Sequence, residues 1–254
     1  MSVDEQGPLY FSGDARLGLG RQSLRRLALI ARLGSESKVL DLGCGGGSAS
    51  ILLARDFGCS VVAADDDGAA LAALDGRLRS ESLSSRVETL TIDFTQLTFG
   101  DGEFNLILAP AGGVYSFSEA ARKLRRYLAV RGRLLICHPV RIGKNPASSA
   151  VGKYWEQKLG GPLQLPRELL QLFENAGYEP EAAEALSEAE LGELYRALEQ
   201  KLAKLSKDKQ AAAKLAEQID LYRAQNGRSG ATFVCALGRR KEPGEKPPAA
   251  RERG

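Results

Sequence analysis

The stretch Val39-Leu40-Asp41-Leu42-Gly43-Cys44-Gly45-Gly46-Gly47 decides the fold of this chain. Its apolar start predicts a strand, and its glycines predict a tight turn in which the backbone can come very close to a ligand. Ser48-Ala49-Ser50 and an apolar run with helical spacing follow directly, so the turn opens a helix. A strand, a glycine turn and a helix in this order are typical of nucleotide-like ligand sites in α/β proteins.

Asp41, which lies two residues before the first glycine, selects among such ligands. The pyrophosphate of a nicotinamide or flavin coenzyme lies against this kind of turn, where a carboxylate would face like charge. Two unit charges about 4 Å apart interact by about 4 kcal/mol at a surface-like dielectric, so this repulsion matters. S-adenosylmethionine has a sulfonium, an ammonium and no phosphate, so Asp41 would attract it.

Two more strands end in acidic residues. The second predicted strand ends in Asp65-Asp66-Asp67, about 20 residues after the glycines, where a carboxylate can accept hydrogen bonds from both ribose hydroxyls. We expect Asp65, with Asp66 beside it, to take this role. The third ends in Asp93-Phe94, which combines an acceptor for an exocyclic amine with a ring able to lie on a purine.

Strand and helix signals alternate along the chain, which predicts a doubly wound, mostly parallel α/β sheet with helices on both faces. An amphipathic helix at 18–33 precedes this series. The predicted strands are Lys38–Leu42, Ser60–Ala64, Arg86–Ile92, Phe104–Ala109, Arg133–Cys137, Tyr178–Ala183 and Ala231–Leu237, and the further helices are Ser48–Phe57, Gly68–Ser80, Ser116–Val130 and Pro166–Ala176.

The composition shifts between Ser187 and Gln225 to Ala, Leu, Glu, Lys and Gln, with leucines near heptad spacing. This pattern predicts a helical hairpin inserted before the last strand. Because its leucine stripe needs a partner surface, we expect an appendage, a lid or a homodimer contact. The chain then divides into a partly disordered N-terminal segment at 1–17, one domain at 18–238 and a disordered basic tail at 239–254.

The fourth strand, with Phe104-Asn105-Leu106-Ile107, runs into Pro110-Ala111, where small residues let a cofactor approach the backbone. With the three motifs above, this order and spacing resembles the class I S-adenosylmethionine-dependent methyltransferases, particularly the small-molecule type that includes the ubiquinone and menaquinone biosynthesis enzymes. The likeness covers about Gly18 to Cys137 well. Asn105 stands where the family commonly has Asp.

The resemblance implies a Rossmann-like sheet of seven strands with the last antiparallel, S-adenosyl-L-methionine as cofactor, and a small-molecule methyl acceptor. The segment before the first strand would close over the methionine end of the cofactor. The implied cofactor contacts are Asp41, Gly43, Cys44, Gly45, Gly47, Asp65, Asp66, Asp93, Phe94, Pro110 and Ala111, joined by Tyr10, Gly18, Gly20 and Arg21.

Methyl transfer from a sulfonium needs mainly in-line positioning, which can supply about 7–11 kcal/mol of the barrier. His138, the sole histidine, follows the fifth strand and is the candidate base if the acceptor arrives protonated. The alternative is that it caps a loop or packs in the core. Tyr115 is a further candidate contact to the reacting groups. Tyr154 and Trp155 lie in a predicted active-site cover, where they would wall the acceptor pocket or pack the cover onto the sheet.

Charge and composition exclude other partners. A formal charge of +3 with 26% charged residues argues against nucleic acid and membrane surfaces, and no signal peptide or apolar span is seen, so we expect a cytoplasmic protein. Four scattered cysteines and one histidine predict no metal site.

Two alternatives stay open, an NAD(P)-dependent oxidoreductase and a methyltransferase-like binding scaffold without turnover. A nucleic-acid methyltransferase is disfavoured because the Asn-Pro-Pro-aromatic pattern is missing after the fourth strand.

Overall fold

The computed structural model describes residues 20–110, 115–142, 149–204, 209–224, 230–242 and 244. Its strands are β1 Lys38–Leu42, β2 Ser60–Asp65, β3 Val87–Thr91, β4 Phe104–Pro110, β5 Leu128–Arg141, β6 Tyr178–Ala185 and β7 Ala231–Arg240. Its helices are α1 Arg21–Ile30, α2 Ser48–Phe57, α3 Gly68–Ser80, α4 Phe117–Leu124, α5 Ala150–Leu159, α6 Pro166–Asn175, α7 Glu188–Lys204 and α8 Lys209–Ala224.

The strands form one seven-stranded sheet in the order β3-β2-β1-β4-β5-β7-β6. The pairs among β1 to β5 are parallel, and β7 runs antiparallel to both of its neighbours, β5 and β6. Two apolar clusters cover the two faces, one with α1, α2, α3, α5, α7 and α8 and the other with α4 and α6. The predicted Rossmann-like sheet, mostly parallel with an antiparallel last strand, is confirmed.

β1 lies in the middle of the sheet, between β2 and β4. Val39 packs in the first cluster and Leu40 and Leu42 in the second, so both faces of this strand are buried. The chain moves outwards from β1 to β3 and then returns to place β4 on the other side of β1. This reversal leaves a crevice at the carboxyl ends of β1 and β4, which is where open α/β sheets bind their ligands.

The connection between α4 and β5 differs from the prediction of one helix up to Val130. The helix ends at Leu124, a 3-10 turn follows, and β5 begins at Leu128, so Val130 belongs to the strand. The pairing of β5 with β4 shifts register here, Arg131 adopts a φ of +58°, and a Cβ on Gly132 would lie 2.9 Å from the Phe104 carbonyl oxygen. Contact with β4 fixes this irregular start of β5, and the helix before it is therefore shorter than predicted.

The predicted cover contains a helix, α5, that the sequence pattern missed. Ser149 caps it by accepting a hydrogen bond from the Gly152 N–H at 3.2 Å, and Gly160 ends it with a left-handed backbone. The buried residues Tyr154 and Trp155 lie side by side in sequence and so interrupt helical periodicity. The two end signals would have located the helix.

The helical hairpin α7–α8 packs against its own chain. Its buried apolar residues, Leu191, Leu194, Leu198, Leu215 and Ile219, all belong to the cluster on the first face of the sheet. The leucine stripe that prompted the homodimer expectation therefore has an intramolecular partner, and dimerisation finds no support. The connection between α7 and α8, at 205–208, lies outside the described residues.

The last strand continues to Arg240, beyond the predicted end at Leu237. Arg239 is buried and its guanidinium forms an ion pair with Glu179 of β6, which holds the extended backbone in the sheet. The predicted disordered tail was expected to begin at residue 239, and this start is wrong because residues 239 and 240 belong to β7. Most of the rest of it lies outside the described residues, as does the predicted segment 1–17.

Glu190 joins the hairpin to α1. Its carboxylate accepts hydrogen bonds from the N–H and Oγ of Ser23, at 2.8 and 3.2 Å, and from the N–H and Oγ of Ser187, at 3.0 and 2.8 Å. Burial raises the pKa of Glu190, but these hydrogen bonds outweigh burial and hold the pKa below its usual value. One ionised side chain, here called the Glu190 clasp, thus caps both α1 and α7.

Within the described residues, no helix is long and apolar enough to cross a membrane. The four cysteines are buried thiols. The described part of the chain also contains no group of three or more His, Cys, Asp and Glu side chains arranged to hold a metal ion.

Candidate functional site

The glycine turn after β1 is closed by short hydrogen bonds to β2. The N–H groups of Gly43 and Cys44 donate to the Ala64 carbonyl oxygen at 2.6 and 3.0 Å. Gly47 begins α2 with a φ of +73°, and a Cβ there would lie 2.3 Å from Leu74 Cδ1. Glycine at this position is therefore required both by the backbone and by the packing of α3 against the turn.

Asp65 holds the turn from the end of β2. Its Oδ2 accepts the Gly45 N–H at 2.6 Å and its Oδ1 accepts the Asp67 N–H at 3.0 Å. The residue is 0% exposed, so its carboxylate is committed to backbone groups rather than open to solvent. Sequence reasoning gave Asp65 a ribose contact and did not foresee this clamp, although the spacing of the two motifs already placed them together.

The other two acids of this strand end have separate roles. Asp67 caps α3 by accepting from the N–H groups of Ala69 and Ala70 at 3.0 and 3.1 Å. Asp66 is exposed beside the turn. The exposed position makes Asp66 the better placed of the predicted pair, Asp65 and Asp66, to reach a ligand hydroxyl.

Asp41 is the penultimate residue of β1, and its carboxylate is turned towards α2. Ser50 Oγ donates to Asp41 Oδ2 at 2.6 Å, and Asp41 is 5% exposed. A buried carboxylate held by a hydroxyl is preorganised, because one oxygen is fixed in place. Asp41, Asp66 and Asp93 together place several negative charges along one edge of the sheet. Negative charge at this edge attracts a cationic, phosphate-free cofactor and repels a pyrophosphate.

Asp93 and Phe94 follow β3 as predicted. Asp93 is exposed, and its Oδ1 accepts from the N–H and Oγ1 of Thr95 at 2.8 and 2.7 Å. The hydrogen bonds from Thr95 lower the pKa of Asp93, so it is ionised.

Tyr115 is buried and donates its hydroxyl to the Phe94 carbonyl oxygen, and Lys123 Nζ lies 4.4 Å from the centre of the Tyr115 ring. Tyr115 thus links the start of α4 to the predicted adenine position.

The remaining predicted cofactor contacts are only partly described. Pro110 ends β4, paired with Cys137 of β5, and Gly20 lies at the N-terminal end of α1 with the exposed Arg21 after it. Ala111, Tyr10 and Gly18 lie outside the described residues.

A cavity of about 350 Å³ lies at the carboxyl end of β5, between the start of α4, the end of α5 and the loop that leads into α6. It is within the size range of small-molecule sites. Sequence reasoning identified two members of its lining, Tyr115 and His138. The described residues that line it are Tyr115, Ser116, Phe117, Ser118, Glu119, His138, Lys158, Leu159, Gly161, Pro162, Gln164 and Leu172.

His138 is 3% exposed, and its Nδ1 lies 2.6 Å from the Pro139 carbonyl oxygen. The ring of Phe117 meets it edge-on, with centroids 5.8 Å apart. Burial lowers the pKa of His138 to about 4, and the hydrogen bond with Pro139 offsets only part of that effect. The imidazole is therefore neutral at physiological pH, and the reference value near 6.5 used for the sequence prediction does not apply.

Tyr154 and Trp155 do not line this cavity. Their rings meet edge-on at 5.3 Å, and Trp155 meets Phe233 of β7 in the same way at 5.1 Å. Both are buried in the cluster shared with the hairpin. These contacts favour the packing interpretation of the two residues over an acceptor contact.

The cavity residues that sequence reasoning missed come from three separate segments. Ser116 and Glu119 form a capping box, with Ser116 Oγ donating to Glu119 Oε2 at 2.8 Å, and the Ser-x-x-Glu spacing could have signalled it. Lys158 extends from the unpredicted helix α5, with Nζ 5.3 Å from the ring centre of Tyr154. Gln164 follows in the loop, and nothing in its sequence context marks it.

Comparison with known proteins identifies the sheet core. Residues 39–132 match a family model described as a methyltransferase domain. The methyltransferase GfsG of Streptomyces halstedii is 35% identical over 101 residues, which span 39% of this chain and 36% of that protein. The chain spans between 28% and 60% of the length of the curated relatives that it matches.

Solved structures share the fold over most of the chain. The phosphoethanolamine N-methyltransferase 2 of Haemonchus contortus superposes with a TM-score of 0.65 at 20% identity, over 87% of this chain and 52% of that one. The [4+2]-cyclase SpnF superposes with a TM-score of 0.65 at 20% identity, over 87% and 82%. At such identities the likeness shows the fold. With the family model, it confirms the predicted superfamily and its S-adenosylmethionine cofactor, whereas the finer likeness to ubiquinone and menaquinone enzymes stays a prediction.

Proposed function

We propose that this chain, which carries a methyltransferase domain of the class I S-adenosylmethionine-dependent superfamily, transfers a methyl group to a small-molecule acceptor by in-line displacement. The observation that carries the proposal is the buried carboxylate of Asp41 at the glycine turn, fixed by Ser50 at 2.6 Å. A fixed negative charge beside this turn selects a cationic cofactor over one that carries phosphate.

The residues at the edge of the sheet would divide the work of holding the cofactor. Asp41 would attract the ammonium and sulfonium end, Asp66 would reach the ribose, and Asp93 with Phe94 would hold the adenine. Asp65 would act through the backbone of the turn. The bound cofactor supplies a methyl carbon that is already electrophilic, so the protein contributes mainly orientation and exclusion of water.

Isothermal titration calorimetry with S-adenosylmethionine, S-adenosylhomocysteine and NADH tests the cofactor class. We expect heat from the first two and none from NADH, since the carboxylate of Asp41 lies at the turn and would repel phosphate. Uptake of NADH without binding of S-adenosylhomocysteine would overturn the proposal and restore the oxidoreductase alternative.

Asp41→Asn tests the charge itself. A hydrogen bond to a charged group contributes about 1.5–3 kcal/mol, so we expect S-adenosylhomocysteine to bind tenfold more weakly or worse. Asp101→Asn is the matched control, because Asp101 is an exposed acid in an ion pair with Arg126. An Asp41→Asn protein with unchanged affinity would remove the electrostatic argument.

The ribose contact is tested by the pair Asp65→Asn and Asp66→Asn. We expect Asp66→Asn to weaken cofactor binding while leaving the melting temperature nearly unchanged. Asp65→Asn should lower the melting temperature because a buried amide cannot accept at both positions that the carboxylate occupies. If Asp65→Asn weakened cofactor binding and Asp66→Asn did not, Asp65 would be the ribose contact.

Turnover separates an enzyme from a binding scaffold. The structural similarity to a [4+2]-cyclase shows that this fold serves more than one purpose. Formation of S-adenosylhomocysteine from S-adenosylmethionine in the presence of candidate acceptors is the decisive measurement. Cofactor binding without turnover on any acceptor class would favour the scaffold.

A further inference from the structure

The imidazole of His138 can offer the cavity only one kind of hydrogen bond. Its Nδ1 lies 2.6 Å from the Pro139 carbonyl oxygen. A carbonyl oxygen only accepts, so Nδ1 must be the nitrogen that carries the proton, and in a neutral ring Nε2 then has a free lone pair. No described residue forms a second hydrogen bond with the ring, so Nε2 is the atom that would accept from a ligand in the cavity.

The strength of this base discriminates between acceptor classes. A protonated alkylamine has a pKa near 10, like lysine, whereas burial lowers the pKa of His138 to about 4. Near pH 7 such an amine is mainly an ammonium ion with no lone pair for the methyl carbon, and a neutral imidazole with so low a pKa is too weak a base to take its proton. A hydroxyl group already has a free lone pair, and it becomes strongly acidic as its oxygen gains the methyl group, so a weak base suffices.

The charges of the described residues that line the cavity balance. Glu119 and Lys158 contribute one negative and one positive charge, and the carboxylate of Glu119 is already bonded to the N–H and Oγ of Ser116. Phe117, Leu159 and Leu172 add apolar surface. Such a lining has no net charge with which to select an ionic ligand, and it suits a neutral, partly apolar compound.

We infer that this cavity is the acceptor site and that its ligand is a neutral alcohol or phenol whose hydroxyl donates to His138 Nε2, so that the reaction is O-methylation. The inference rests on the proposed function. The acceptor's O–H bond would break and its proton would move to Nε2, while the oxygen would bond to the methyl carbon as the bond from that carbon to the cofactor sulfur breaks and its electron pair leaves a neutral thioether. The imidazolium then loses its proton to solvent.

The sole histidine allows a direct test by ¹⁵N NMR, on protein purified without a histidine tag. We expect one imidazole signal in the Nδ1–H form from pH 5.5 to 8. Benzyl alcohol and phenol, titrated to millimolar concentration, should shift the Nε2 resonance in the direction of an accepted hydrogen bond. An Nε2–H tautomer, or an Nε2 signal that neither probe moves, would overturn the inference.

Turnover supplies the second test, with benzyl alcohol and benzylamine as a matched pair that differs in the reacting group. We expect S-adenosylhomocysteine to form at least tenfold faster with the alcohol at pH 7, and His138→Gln to slow that reaction by 100-fold or more. Cofactor affinity should be unchanged in this variant. Lys153→Ala, at an exposed position of α5, serves as the control.

The outcomes of these tests separate the two proposals. A protein that fails to bind S-adenosylhomocysteine contradicts the proposed function. A protein that binds S-adenosylhomocysteine but methylates benzylamine faster than benzyl alcohol contradicts only the acceptor class. The same holds if the His138→Gln variant turns over the alcohol as fast as the wild type. His138→Phe, which keeps a planar aromatic ring without the nitrogen atoms, provides a second variant if the glutamine protein does not fold.

Discussion

The glycine turn after β1 and the cavity at the end of β5 lie along the same edge of the sheet, but they hold their polar groups in opposite ways. At the turn, each buried carboxylate is fixed by hydrogen bonds from residues nearby in the motif, such as Ser50 to Asp41 and Gly45 to Asp65. At the cavity, His138 has one polar contact among the described residues and is buried. Hydrogen bonds hold the carboxylates in place, whereas burial keeps the imidazole neutral.

This difference explains which region the sequence could predict. The turn depends on residues 39–50 and on strand ends that follow at regular spacing, so the motif alone located β1, α2, β2 and their acids. The cavity brings together α4, α5 and β5, which are distant in sequence and join only through packing. The irregular start of β5 at Arg131 and the adjacent aromatics of α5 follow no periodic pattern, so a helix and a strand start were misjudged.

Among these substitutions, Asp65→Ala should lower the free energy of unfolding most. Removing the carboxylate leaves the Gly45 and Asp67 N–H groups without their acceptor in a buried site, at about 1–3 kcal/mol each. We expect the free energy of unfolding without ligand, measured by urea denaturation, to fall by about 3–5 kcal/mol. Asp66→Ala, at the neighbouring exposed position, should change it by less than about 1 kcal/mol. Equal effects would show that Asp65 does not clamp the turn.

The enclosed imidazole should make stability depend on pH. Its pKa is about 4 in the folded protein and near 6.5 when unfolded, so below pH 6.5 the unfolded chain binds the proton first. The free energy of unfolding should therefore fall by about 3 kcal/mol as the pH drops from 6.5 to 4. Above pH 6.5 this contribution is fully present.

The difference between the pH curves of the wild type and His138→Phe isolates this effect. In the part of the chain that the structure describes, the other titratable groups lining the cavity with the imidazole are Glu119 of α4, Lys158 of α5 and Tyr115, and they are retained in the variant. Burial raises the pKa of Tyr115, so it remains neutral over this range. Parallel curves would mean that His138 is not shielded from water as the structure describes.

Gly47→Ala should have an intermediate effect. A left-handed backbone costs a residue with a Cβ about 1–2 kcal/mol, and the contact with Leu74 requires a shift in a filled core. We expect a loss of about 2–4 kcal/mol in thermal or urea unfolding. Gly76→Ala is the control, because position 76 lies inside α3 with open space around it, and it should stabilise the protein by about 0.5–1 kcal/mol.

Ser50→Ala should give the smallest effect. It removes one hydroxyl donor from Asp41 Oδ2, which corresponds to about 1 kcal/mol of unfolding free energy. The affinity for S-adenosylmethionine should fall less than in Asp41→Asn, since the charge remains. A loss as large as that of Asp41→Asn would mean that orientation of the carboxylate, rather than its charge, governs the turn.

The Glu190 clasp has a consequence for exchanging parts between relatives. Residues 187–225 resemble a detachable module by composition, but the carboxylate at position 190 also closes the first turn of α1, and a side chain at position 20 would collide with it. A chimera that imports another hairpin must therefore bring an acid at this position or recruit a new cap for α1. Compatible transplants are those in which position 190 and the segment around Gly20 and Ser23 travel together.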